Sequence, residues 1–250
     1  MKKIYLFAGA MCITGFILVV IAFLMTGGNL KKFNSGTRDY VPATYNCKED
    51  IDSIDAEAYS QCITLRTGNV DKPVIEYYND KEYELWDISE DNGTLKIRRP
   101  NEVRNQKSYF IINFDTQNYD GIRITLPENF KGDAKLKVSS GEIMISDVNF
   151  NKLDEHLSSG YAALTRVNVS TVTAEASSGT IHFNHLNADS SIDFKVSSGE
   201  IIGDIDGSEK DFSVNTSVSS GDTNLKNSQG GKKELSATAS SGDIIIRFNE

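Results

Sequence analysis

Residues 136–145 read LKVSSGEIMI, and the Ser-Ser-Gly tripeptide in this stretch recurs through the last part of the chain. Successive copies lie 19, 19, 20, 22 and 21 residues apart. A period of about 20 residues is typical of a β-solenoid, in which each repeat forms one coil and the coils stack. We predict repeat corners at the glycines that end the six copies, which are Gly141, Gly160, Gly179, Gly199, Gly221 and Gly242.

Apolar residues keep a constant distance from these glycines. Because side chains alternate between the two faces of a strand, this phase places one apolar column inside the stack. Each repeat is therefore predicted to be a strand, a tight corner, a second strand and a return loop. A flexible linker of the same composition would not carry apolar residues in this phase. The residues two positions after the glycines are Ile143, Ala162, Ile181, Ile201, Thr223 and Ile244.

The residues before the repeats also have β character. Between residues 60 and 127, apolar and aromatic runs such as Val74-Ile75-Glu76-Tyr77 alternate with turn signals such as Asp91-Asn92-Gly93. We predict an all-β fold with a β-rich, sheet-like or sandwich-like lead-in at residues 46–130 and a β-solenoid at residues 131–250. The chain ends four residues after Ile246, so we expect the last strand to lack a cap and to present an edge for self-association.

The N-terminus carries a membrane signal. Ile4 to Met25 is a run of 22 residues without a charge, preceded by Lys2-Lys3, and this is long enough to cross a bilayer as one helix. No small-x-small cleavage site follows it. We predict an uncleaved anchor at residues 1–26, a stalk at residues 27–45, and a single-pass protein of a bacterial cell membrane with its bulk outside the cytoplasm.

Two cysteines, Cys47 and Cys62, lie outside the predicted anchor. An even pair fits a disulfide in an oxidising compartment, which is the pairing we expect. A free buried thiol pair and metal ligation are the alternatives, and the second lacks the spacing of a metal site.

The net charge of −9 comes without clusters of lysine or arginine, which argues against a nucleic-acid partner. No catalytic motif is recognisable, and we expect neither a cofactor nor a resident metal. The three histidines, His156, His182 and His185, are expected to be solvent-facing polar residues. Carboxylates recur directly after the corner glycines and favour polar decoration of the corners over a calcium ladder; they are Glu142, Glu200, Asp222 and Asp243.

The run Leu136-Lys137-Val138-Ser139-Ser140-Gly141-Glu142-Ile143, its repeats, the segment Asn92–Ile97 and the apolar N-terminus together resemble the "putative adhesin" β-solenoid family of bacterial envelope proteins. The resemblance covers roughly residues 46–250. It implies the solenoid fold, and it implies no assigned activity, because the family is one of unknown function.

Three hypotheses for function follow. The leading one is a membrane-anchored, extracytoplasmic module without catalysis that binds protein or glycan along its extended face, because solenoids build such faces. The second is a regulator that couples the state of the envelope to a membrane sensor. The third is a glycan-active enzyme, which would need convergent carboxylates in a groove.

Overall fold

The computed structural model describes residues 40–81, 84–100 and 121–250, together with Gly15, Phe23 and Leu24. Backbone proximity divides the chain into two units, Met1–Asp39 with Asn105–Asn118 and Tyr40–Arg104 with Tyr119–Glu250. The first unit, the predicted anchor and most of the predicted stalk lie almost wholly outside the described residues. Within the described part of the chain, no helix has the length and apolar character needed to cross a membrane.

The described residues of the second unit form thirteen strands that belong to one sheet, so the all-β prediction is confirmed. A 3-10 turn, Glu209–Asp211, precedes the eleventh strand. The strands are β1 Tyr40–Asn46, β2 Ser53–Ala58, β3 Cys62–Gly68, β4 Val74–Asp80, β5 Asp87–Asp91, β6 Thr94–Arg98, β7 Ile122–Pro127, β8 Asp133–Val138, β9 Glu142–Ser146, β10 Asn149–Asp206, β11 Phe212–Ser220, β12 Lys233–Ser241 and β13 Ile244–Asn249.

The repeats form parallel coils. In each coil, one strand, which we call strand A, runs into the Ser-Ser-Gly corner, and a second strand, strand B, leaves it. The first Ser-Ser-Gly coil is β8 with β9, and the long β10 supplies the next three coils, with a strand A and a strand B in each. β10 stacks in parallel on both β8 and β9, with Leu157 opposite Val138 and Ala162 opposite Ile143.

Parallel coils also occur before residue 131. β2 and β3 form a coil whose corner is Tyr59-Ser60-Gln61, and they pair in parallel with β8 and β9. β6 and β7 stack on the other side of β2 and β3, again in parallel. The antiparallel pairs described in this region are β1 with β4, β4 with β7 and β5 with β6. The segment predicted as a lead-in therefore contributes two coils of the solenoid itself, and residues 40–45 of the predicted stalk belong to β1.

The core is the apolar column predicted from the phase of the repeat. The side chains two residues after the corner glycines, from Ile143 to Ile201 and at Ile244, are fully buried, whereas Thr223 is exposed. One inward position departs from this pattern: Glu155 stands between Leu136 and the next coil, and none of its surface is exposed.

The C-terminal coils are not stacked in chain order. β12 lies between β10 and β11 and pairs in parallel with both, and β13 pairs with β10. The outermost strand is consequently β11. The last strand of the chain is only in part the free edge that the sequence predicted. β13 pairs with β10 on one side, and on the other side residues 222–224 cover its first half, Ile244 to Ile246.

Candidate binding surfaces

The corner glycines form a continuous column in which backbone meets backbone. A Cβ built on Gly160 would overlap the carbonyl oxygen of Gly141, and the same holds for each glycine against its neighbour in the stack. The column ends with Gly199 against Gly179, Gly242 against Gly199, and Gly221 against Gly242. The structure thus brings the six predicted corners together, and it shows that glycine is required there for close approach as well as for positive φ, which runs from 126° to 152° at five of the six.

The four carboxylates that follow the corners point outward on strand B and are only partly adjacent. Glu200 lies opposite Asp243, which lies opposite Asp222, and the Asp222 N–H donates to Asp243 Oδ1 at 2.9 Å. Glu142 is separated from them by Tyr161 and Thr180. Among the described residues, no group of three or more histidine, cysteine or acidic side chains has the geometry of a metal site.

Each histidine has a partner on the surface. His156 lies between two carboxylates, with Nε2 3.0 Å from Asp154 Oδ1 and Nδ1 3.5 Å from Glu175 Oε2. Both ring nitrogens therefore face acceptors, although Ser158 and Ser177 line the same shallow groove of about 460 Å³. A catalytic serine needs a free imidazole nitrogen to accept its proton, so this arrangement suits an ion-pair network and not a serine nucleophile.

The second corner of each coil carries two ladders that the sequence analysis missed. Asp147, Arg166 and His185 adopt positive φ at intervals of 19 residues, and the Arg166 Nε donates to Asp147 Oδ1 at 2.5 Å. This pairing lowers the pKa of Asp147. Two positions later an amide ladder follows, in which Asn168 Nδ2 donates to Asn149 Oδ1 at 2.9 Å and Asn187 Nδ2 to Asn168 Oδ1 at 3.3 Å. The 19-residue spacing of Asn149, Asn168 and Asn187 matches the length of one coil and could have predicted this ladder.

A groove of about 850 Å³ runs beside this amide ladder. Its walls are polar and mainly acidic, with Asp52, Asp133 and Asp189 among the carboxylates and Lys72 among the cations. Phe130 and Phe150 pack edge to face beneath it, with ring centroids 6.0 Å apart, and both are buried. The groove therefore offers both hydrogen-bonding groups and apolar surface.

A line of mainly apolar side chains, exposed at its two ends and half-buried between them, lies on the outer face of the strand-B sheet. We call this line the outer stripe, and its members, each three residues after a corner glycine, are Met144, Ala163, His182, Ile202 and Ile245. Met144 is 43% exposed and Ile245 36%. Tyr161 lies beside the stripe, 36% exposed and stacked on His182 with the rings 6.2 Å apart. Five coils at the strand spacing make the stripe about 19 Å long.

The sequence profile of the Toastrack DUF4097 family matches residues 51–250, which is four fifths of the chain. The chain belongs to the Toastrack DUF4097 family. The match begins just before β2, where the parallel coils of this Toastrack chain begin. It agrees with the resemblance read from the Ser-Ser-Gly repeats, and it assigns no activity.

Several solved structures of bacterial proteins match this chain at low sequence identity. A "putative cell adhesion protein" from Clostridium sporogenes is 13% identical with a TM-score of 0.49, and covers 84% of this Toastrack chain and 100% of its own. A "putative adhesin" from Bacteroides fragilis is 17% identical with a TM-score of 0.39, and the alignment covers 85% and 98% of the two chains. A "Putative lipid binding protein" from Parabacteroides distasonis is 16% identical with a TM-score of 0.32, covering 85% and 98%. Among curated proteins, none matches this chain.

The Toastrack fold does not bring together the two cysteines for which a disulfide is predicted. Cys47 follows β1 beside Pro73, Cys62 begins β3, and both are free thiols. The strand registers put them five residues apart along the strands and three strands apart across the sheet. At the usual strand dimensions this is about 15 Å in each direction, whereas a disulfide needs Cα atoms within about 7 Å. Burial raises the pKa of Cys47 to about 12, so its thiol stays protonated.

A reducing agent is therefore expected to leave the stability of the Toastrack domain unchanged, because no bond between Cys47 and Cys62 is there to break. Thermal unfolding with and without dithiothreitol checks this, and alkylation of the unreduced, unfolded chain should modify both residues. A fall of several degrees in the melting temperature on reduction would contradict the arrangement described above.

Proposed function

We propose that this chain is a membrane-anchored, extracytoplasmic binding module of the bacterial envelope, without catalysis, that holds an extended protein or glycan partner on the outer face of its strand-B sheet. The observation that carries the proposal is the outer stripe. Exposed apolar side chains on a folded domain mark interaction surfaces. Here the exposed Met144 and Ile245 lie at the two ends of a line across five stacked coils, and the coils between them carry half-buried stripe members.

The composition around the outer stripe fits a linear partner. Carboxylates at Glu142, Glu200 and Asp243 follow one side of the stripe, and hydroxyl and amide groups at Ser146, Thr165 and Asn184 follow the other. A repeating partner that lies across the coils would meet apolar contact along its centre and hydrogen-bonding groups at both margins. The 22 uncharged residues from Ile4 to Met25 support the anchor, and Lys2-Lys3 supports an N-terminus in the cytoplasm.

Two observations favour binding over catalysis. His156 has both ring nitrogens against carboxylates, and the carboxylates at Glu200, Asp243 and Asp222 stack side by side on one face of strand B. A glycosidase needs two carboxyl groups on opposite sides of one bound sugar.

Inserting charge into the outer stripe is expected to abolish binding while leaving the fold intact. The test variant is Ala163→Asp with Ile245→Asp, and the matched control is Thr238→Asp on the outer face of strand A, at a half-buried position like Ala163. Full-length chains in detergent are sedimented with isolated bacterial envelopes. We expect the stripe variant to lose at least tenfold in affinity, because two desolvated contacts each contribute about 1 kcal/mol or more, and the control to bind like the wild type.

Treating the envelopes beforehand with a protease or with a wall-degrading glycosidase separates a protein partner from a glycan. Equal binding by the stripe variant and the wild type would contradict the proposed face. Replacing residues 1–26 by an unrelated anchor distinguishes the two non-catalytic roles, because a binding module keeps its function with a foreign helix, whereas a regulator that signals through its own helix loses it.

A further inference from the structure

The outermost strand, β11, is covered along its outer edge by the chain that follows it. Val214 N–H donates to the Ser228 carbonyl at 3.0 Å, and Ser228 N–H donates back to the Val214 carbonyl at 3.0 Å. Farther along, Gly230 N–H donates to Ser213 Oγ at 3.2 Å, which in turn donates to the Gly231 carbonyl at 3.1 Å. Residues 224–231, which we call the strap, thus occupy the hydrogen-bonding edge that a further strand would use.

Two asparagine side chains complete the cover where the strap backbone does not reach. Asn227 Oδ1 accepts a hydrogen bond from Thr216 N–H at 2.6 Å. Asn224 bonds to the neighbouring β13 with both amide atoms, since Oδ1 accepts from Ile246 N–H at 2.9 Å and Nδ2 donates to the Ile246 carbonyl at 2.7 Å. Each side chain thus satisfies backbone groups that a further strand would otherwise pair, Asn227 at the edge of β11 and Asn224 at the edge of β13.

The strap is held by these hydrogen bonds and by little apolar burial. Of its residues only Leu225 is buried, at 7% exposure, while Lys226, Asn227, Gln229 and Gly230 are exposed. A Cβ added to Gly230 would have no atom within 4 Å. A segment with few buried contacts opens more easily than the coils beneath it.

The strand under the strap is suited to pair with a copy of itself. β11 reads FSVNTSVSS and carries no charged residue, although charged side chains are the common device against pairing of edge strands. Two copies of β11 related by a two-fold axis at Thr216 would pair antiparallel, with Asn215 of one opposite Ser217 of the other, and no like charges would meet. Phe212 lies at the same end, with its ring 5.7 Å from that of Phe248.

We propose that the strap is an autoinhibitory cover, and that its release lets β11 pair with β11 of a second copy of this chain. Self-association then depends on the outermost strand and on the strap, and not on the C-terminal strand β13. The pairing edge belongs to β11, a strand A, whereas the outer stripe lies on strand B, so this inference is independent of the proposed function.

The test measures the mass of the full-length chain in detergent by sedimentation velocity. The strap variant is Asn227→Ala with Ser228→Pro, which removes the acceptor of the Thr216 N–H and the N–H that Ser228 donates to Val214. The control is Lys226→Ala with Gln229→Ala, which changes two exposed strap residues that have no described bond to β11. At a concentration where the wild type is monomeric, we expect the strap variant to be dimeric, with a dissociation constant at least tenfold lower, and the control to stay monomeric.

Adding Asn215→Lys and Ser217→Lys to the strap variant places lysine opposite lysine and should restore the monomer. The milder Asn227→Ala removes one hydrogen bond at an exposed position, which the coils can tolerate, and should lower the dissociation constant about fivefold. The proposal is overturned if Asn227→Ala or a folded strap variant dimerises no more than the wild type, or if the lysine pair leaves a dimer unchanged.

Discussion

Glu155→Leu is expected to raise the free energy of unfolding by roughly 3 kcal/mol at pH 7 and to remove a pH dependence of stability between about pH 4.5 and 8. Glu155 is fully buried in the apolar column, and neither carboxylate oxygen has a hydrogen-bond partner among the residues that the structure describes. Burial, with a smaller contribution from the charge of Asp154, raises the pKa of Glu155 from 4.5 to about 8.

The direction follows from where the proton is held. Between pH 4.5 and 8 the folded chain keeps the Glu155 proton, whereas the unfolded chain has released it, so stability falls as the pH rises through this range. Below pH 4.5 Glu155 is protonated in both the folded and the unfolded chain, and its contribution to stability is at its maximum. This contribution is lost by about pH 8, above which the carboxylate is ionised in the folded chain as well. Each pH unit above 4.5 lowers the free energy of unfolding by about 1.4 kcal/mol, so the 2.5 units between pH 4.5 and 7 amount to roughly 3 kcal/mol. Leucine adds apolar contact and has no proton to lose.

Urea unfolding at pH 5, 7 and 8.5 measures this effect. Glu155→Gln should flatten the pH dependence while keeping a buried polar group, and so should gain less at pH 7 than leucine. Glu200→Gln, at an exposed position of a later coil, is the control and should behave as the wild type. A wild-type stability that rises from pH 5 to 8, or a Glu155→Leu chain less stable than wild type at pH 8, would show that this carboxyl has a partner inside the coil.

Gly199→Ala is expected to destabilise the solenoid by at least 3 kcal/mol, a size typical of severe steric strain in a core. The new Cβ would overlap the Gly179 carbonyl oxygen, which is backbone and cannot turn aside, and Gly199 has a φ of 142° that L-residues rarely adopt. The carbonyl of Gly199 supports Gly242 in the same way, so a displacement at this corner would be transmitted to the next coil.

Gly207→Ala separates the two causes. Gly207 also has positive φ, 115°, but a Cβ there would meet only Asp211 Oδ2 at 3.5 Å, an ordinary contact. The cost of this control should therefore be about 1–2 kcal/mol from backbone strain alone. Chemical unfolding of both variants provides the comparison. Equal losses of stability at the two positions would contradict this account. They would mean that the corners need glycine only for its positive φ and not for the close contact between stacked backbones.

The parts of the fold that repeat could be predicted, because a phase relation fixes which residues face inward. Ile143, Ile181 and Ile201 were placed in the core from their distance to a glycine. The same relation marks Glu155, which stands five residues before Gly160 where other coils have Leu136 or Phe194. Its neighbours Leu153 and Leu157 alternate with it, so its burial could have been predicted from the period-2 pattern.

Other features depend on contacts between distant segments, which a repeat pattern does not encode. The tripeptide at Gly242 predicts a coil but not that this coil lies inside the one at Gly221. The coil of β2 and β3 has Gln61 at its corner, where the Gln61 side chain itself accepts from Tyr59 N–H, and without a glycine it gave no sign of belonging to the stack. The separation of Cys47 from Cys62 likewise follows from the pairing of β1 with β4.

The most direct test of the proposed binding face is site-specific photo-crosslinking in living bacteria. A photoreactive amino acid is placed at Met144, on the outer stripe, and in a second strain at Thr238, on the outer face of strand A. The binding account predicts that Met144 captures one defined envelope partner, protein or glycan, and that Ala163→Asp with Ile245→Asp abolishes the capture, while Thr238 captures little. Equal capture from the two faces, or capture at Met144 that survives the charged variant, would contradict it.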